Sequence, residues 1–114
     1  MKILFDHGTP RSIARSLAGH KVTRAAQLGW HQLGNGVLIE SAEEAGYDLL
    51  LSTDQNIRYQ QNLNHRKIAI VVLTGQQRPN VRLHLERISV AVNEAKPGSY
   101  VEVEIPLPPK TLRK

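Results

Sequence analysis

The chain has 114 residues, 40% of them hydrophobic, and its 15 Lys and Arg against 10 Asp and Glu give a formal charge of +5 with no cysteine. The length suits one domain with its own core, the composition excludes a disordered chain, and the missing thiols exclude disulfides and thiolate metal sites and suit a reducing cytoplasm. No apolar run is long enough for a signal peptide or a membrane helix, and the positive balance favours anionic partners such as RNA, DNA or an acidic protein segment.

In chain order, Lys2 to Asp6 reads as a first strand, with Ile3-Leu4-Phe5 apolar throughout, as in a strand covered on both faces. Thr9 then reads as a helix cap and Pro10 as the first helical residue, with Ile13, Ala14 and Leu17 inward and Gly19 ending the helix. His20 to Thr23 is a second strand, and Ala25 to Leu28 one helical turn. Gly29 to Gly36 forms a glycine-rich loop. A helix from about Val37 to Ala45 puts Leu38, Ala42 and Ala45 on one face, and Gly46 stops it.

Asp48 to Ser52 is the third strand. Thr53-Asp54 opens a polar helical segment through about Asn62. Lys67 to Leu73 is a fully apolar strand whose character predicts a central position, followed by a loop over Thr74 to Arg78. A long helix over Pro79 to Glu94 carries Val81, Leu85, Ile88 and Val92 at helical spacing. Tyr100 to Ile105 alternates as an edge strand does. The domain spans residues 1–106, and residues 107–114 form a short basic tail. Strands alternating with helices predict an α/β fold with a short, mostly parallel sheet, whose ligands gather outside the carboxyl ends of the strands.

Two carboxylates stand at such ends, Asp6 after the first strand and Asp54 after the third. Held close, they repel each other unless one is protonated or a cation lies between them. Oxygen ligands of this kind suit Mg²⁺ or Mn²⁺. An Asp ahead of a helix also caps it, so each residue has a purely structural reading too. His7, His20, His31, His65 and His84 form no helical metal pair; His7, beside Asp6, either binds phosphate or faces water. No nucleophile elbow, Walker loop or dinucleotide fingerprint is present. Arg11 and Arg15, one helical turn apart, and Arg58 are candidates to hold a phosphate backbone. Trp30 and Tyr59 can stack bases, although Trp30 also suits a core plug or a dimer contact.

The order Lys-Ile-Leu-Phe-Asp6-His-Gly-Thr-Pro10-Arg, Gly19-His20, Leu28-Gly29-Trp30, Asn35-Gly36 and Gly46-Tyr-Asp-Leu-Leu-Leu-Ser-Thr53-Asp54-Gln-Asn56, continuing through Lys67-Ile-Ala-Ile-Val-Val-Leu73, resembles the PIN-like proteins of the DUF5615 family. The resemblance implies a PIN-like three-layer α/β/α sandwich and a Mg²⁺- or Mn²⁺-dependent ribonuclease of the toxin–antitoxin kind. It assigns Asp6 and Asp54 as catalytic metal ligands; Asn35 and Asn56, at or near positions where the family carries acids, and Glu40, one turn into the middle helix, are further candidates. It implies RNA as substrate and a small antitoxin as partner, and a homodimer is compatible with it. Three positions depart from the family pattern. His7-Gly8 replaces Glu-Asn, Asn35 stands near an expected acid, and Asn56 replaces the second acid of Asp-x-Asp. Each lowers the negative charge around a cation, so a degenerate module that binds RNA or a protein without cutting is the rival expectation.

Overall fold

A computed structural model describes residues 1–55, 57, 66–75 and 84–105. Five strands form one sheet: β1 (Lys2–Phe5), β2 (Lys21–Arg24), β3 (Leu49–Ser52), β4 (Ala69–Gly75) and β5 (Tyr100–Ile105). Their order is β2-β1-β3-β4-β5 and every pairing is parallel. Among the described residues, two 3-10 helices, η1 (Arg11–Leu17) and η2 (Ala25–Leu28), and two α-helices, α1 (Asn35–Glu44) and α2 (Leu85–Glu94), cover it. The α/β sandwich expected from the alternation of elements is the architecture observed.

The apolar runs explain the layers. Along β1 and β3, successive side chains point to opposite faces. Ile3, Phe5, Leu49 and Leu51 enter one core with Ile13 and Leu17 of η1 and Ile88 and Val92 of α2. Leu4 and Leu50 enter a second core with Leu38, Ile39 and Ala42 of α1, Ala25 of η2 and Ile57. Continuous hydrophobicity is therefore the signature of burial on both sides.

Several elements differ from their sequence expectation for identifiable reasons. Thr9 does not cap η1, because its hydroxyl donates to the Leu51 carbonyl at 3.1 Å and Pro10 occupies the cap position. The first helix is 3-10 rather than α, so Arg11 and Arg15 are about 120° apart around its axis instead of about 40°. Helix α1 begins at Asn35, two residues earlier than expected, and Ala45 is its exposed cap. Strand β4 begins at Ala69, because the Lys67 and Ile68 amides donate to the Glu43 carboxylate rather than to a neighbouring strand. It continues through Thr74 and Gly75, which pair with Glu104 and Ile105. Strand β3 is the middle strand, and β4 lies inside the sheet between β3 and β5, as its apolar run predicts. Residues 76–83, with Val81, lie outside the described set, as do Tyr59 and the tail.

The crossovers set where the sheet is covered. From β1 the chain steps to β2 with η1 on the first face, then steps back past β1 to β3 with α1 on the second face. Those two connections share one hand. The step from β4 to β5 runs in the same direction as that from β2 to β3, yet α2 packs beside η1 on the first face. Its hand is therefore opposite, a departure from the strong preference for one hand in parallel crossovers. As a consequence Val103 and Ile105 are buried beneath α2, whereas Glu102 and Glu104 point to the other face and are exposed. The alternation in β5 records that one-sided cover.

Candidate functional site

Where the chain leaves β1 in one direction and β3 in the other, the strand order reverses. A crevice outside the carboxyl ends at such a reversal is the usual ligand position in parallel α/β sheets. Asp6 and Asp54 stand there. Phe5 pairs with Leu51, and the Asp6 amide donates to the Leu51 carbonyl at 2.9 Å, so Asp6 leaves its strand beside the end of β3.

Ser52 joins the two carboxylate residues. Its hydroxyl donates to Asp6 Oδ2 at 2.7 Å and accepts the Asp54 backbone N–H at 3.1 Å. Ser52 is completely buried, and these two bonds use its hydroxyl both as donor and as acceptor. The second Asp6 oxygen accepts the His7 backbone N–H at 2.7 Å. A tight turn makes that approach feasible: the Thr9 amide donates to the Asp6 carbonyl, and Gly8 adopts φ +91°. This is the position of a type II turn that favours glycine.

Asn35, the first residue of α1, donates from Nδ2 to Asp54 Oδ2 at 2.7 Å. The amino end of α1, the positive end of its dipole, therefore lies beside Asp54. Burial pushes the Asp6 carboxyl above its ordinary value, and the Asp54 charge adds to this; the Ser52 hydroxyl and His7 amide oppose it. An acid in this state gains from a cation that offsets both the lost hydration and the neighbouring charge.

The structure thus brings together Asp6, Asp54 and Asn35. Glu40 is exposed on α1, and no group of three His, Cys, Asp or Glu able to hold a metal occurs among the described residues, so Glu40 supplies no third carboxylate to such a cluster. Asn56 and Arg58 lie outside the described residues. Arg11 and Arg15 are exposed on η1. Trp30 is half-buried and packs edge-on against Tyr47 with ring centroids 6.5 Å apart, which is the core-plug alternative. Sequence reasoning missed Ser52 and read the buried Thr9 as a cap. The available signal was a hydroxyl residue closing an otherwise apolar strand.

A hollow of about 670 Å³, lined by Met1, Glu44, Tyr47, Asp48 and Lys67, lies at the other end of the strands, away from the carboxylates. No described helix is long and apolar enough to cross a membrane. Compared with family models, curated proteins and solved structures, the chain matches none.

Proposed function

We infer that the chain is a PIN-like phosphodiesterase acting on RNA, with one Mg²⁺ or Mn²⁺ ion held between Asp6 and Asp54. The observation that carries this reading is the meeting of both carboxylate residues on the Ser52 hydroxyl at the β1/β3 reversal. The donor set fits such an ion: hard oxygens, one of them on an acid destabilised by burial and by its neighbour. Magnesium is commonly held by one or two carboxylates, with water and substrate phosphate completing its shell. When bound, the ion supplies charge stabilisation at the phosphoryl oxygens and a water of lowered pKa.

The chain's own residues do the rest. Ser52 sets the distance between the two acids, and Asn35 orients Asp54. The amino end of α1 favours an anion nearby. Arg11 and Arg15, exposed on two sides of η1 rather than along one stripe, would meet a phosphate backbone there. The resemblance to toxin nucleases adds a cytoplasmic setting and a small antitoxin as partner.

The thermal unfolding of wild type and Asp6→Asn, titrated with Mn²⁺ and followed by RNA cleavage assays, tests the reading. Saturating the wild type at a hundred times its dissociation constant raises its stability by about 2.7 kcal/mol, and the variant does not respond. A wild type indifferent to millimolar Mg²⁺ and Mn²⁺ overturns it, as does cleavage that survives loss of both Asp6 and Asp54. One observation favours a second reading, a module that binds RNA or protein without cutting: no third acidic or histidine ligand joins the pair among the described residues. RNA binding without any metal response is the outcome that selects it.

A further inference from the structure

Two imidazoles lie near Asp6, one next to it in the chain and the other against the first. His7 follows Asp6 directly and is tied to it through its backbone N–H. His31 lies in the loop that leads into Asn35, whose amide holds Asp54. Both histidines are exposed, and their rings lie 6.5 Å apart between centroids, inclined at 47°. That gap is wider than face-to-face contact and close to the roughly 7 Å needed to seat one flat ring between two others, twice the carbon–carbon contact distance. Exposed side chains change rotamer within nanoseconds, so the two ring planes are free to reorient around a guest. Trp30 and Tyr47, by contrast, are engaged with each other and with the second core.

We propose that His7 and His31 clamp one unpaired nucleobase beside Asp6 and Asp54, and so select single-stranded over duplex nucleic acid. The substrate class rests on the phosphodiesterase reading above. Base faces in a duplex are covered by their neighbours, whereas a splayed base offers both faces to aromatic side chains. Stacking of this kind accepts any base, so the clamp confers strandedness rather than sequence preference.

An end-labelled single-stranded RNA carrying one 2-aminopurine, titrated in EDTA, tests the clamp without passing through cleavage. Wild type binds and quenches the 2-aminopurine fluorescence, as stacking does. The His7→Ala/His31→Ala double variant binds about tenfold more weakly and loses the quenching. The His7→Phe/His31→Phe variant keeps flat faces without ring nitrogens and retains both. Alanine substitutions that leave affinity and quenching unchanged overturn the proposal. So does a phenylalanine variant that behaves like the alanine one, or a duplex of the same sequence bound as tightly as the single strand. The metal response of wild type against Asp6→Asn is scored separately, so loss of the clamp and loss of the phosphodiesterase reading are distinguishable.

Discussion

Asp6 carries a charge in a place that resists it, and its pH behaviour follows. Its native pKa is raised above the ordinary 3.8 by burial, assisted by Asp54. Between those two values the native state binds more protons than the unfolded state, so stability falls as pH rises through that window and stays reduced above it. Asn at position 6 has nothing to ionise. The stability of Asp6→Asn relative to wild type, without metal, is expected to be lowest below pH 3.8 and to climb to a plateau above the native pKa. Urea unfolding across pH reads this directly, and a difference independent of pH contradicts it. Ser52 makes a second prediction. Alanine there strips one hydrogen bond from Asp6 and leaves the Asp54 amide without its hydroxyl acceptor. The expected cost is about 1–3 kcal/mol, together with a fall in metal affinity on the order of tenfold to a hundredfold, typical of losing a residue that orients a ligand. Calorimetry on Ser52→Ala checks both.

Among the elements, α1 does two jobs at opposite ends. Its first residue, Asn35, reaches Asp54, while near its last turn Glu43 accepts the Lys67 and Ile68 amides and Arg66 Nη1, the last at 3.0 Å. Burial works against the Glu43 charge, but these donors together outweigh it and hold the carboxyl below its ordinary value. A lowered native pKa stabilises the fold above the unfolded pKa, and that contribution is lost as pH falls through the native value. Glu43→Ala is expected to cost about 1 kcal/mol at neutral pH, because it takes the acceptor from the part-buried Ile68 amide while the exposed Lys67 amide turns to water. It should also flatten the acid limb of the stability profile, which denaturant titration at several pH values measures. Strands β1, β3 and β4 were legible as apolar runs, and β5 by its alternation. The start of β4 was not, because a side chain 25 residues away from Ile68 takes the hydrogen bond that would otherwise extend the ladder. Helix η1 was legible as helical, but its 3-10 winding was not, and that winding separates Arg11 from Arg15.

For the whole molecule, net charge and topology make different statements. On the proposed RNA reading, a charge of +5 predicts that affinity falls steeply with salt, with log K linear in log salt, because each phosphate contact releases counterions. Titrations at several ionic strengths check this; binding indifferent to salt removes the basic surface from the account. Topology decides the site. The sequence by itself determined the alternation of strands and helices, the two-sided burial of β1, β3 and β4, and the placing of Asp6 and Asp54 at strand ends, since these follow from local hydrophobic patterning and chain polarity. Only the tertiary structure decided that β1 and β3 are neighbours, that Ser52 links their acids, that Asn35 rather than Glu40 reaches Asp54, and that α2 lies on the face of η1. Each of those depends on which strands pair and which face a helix takes, and local periodicity is the same for every such choice.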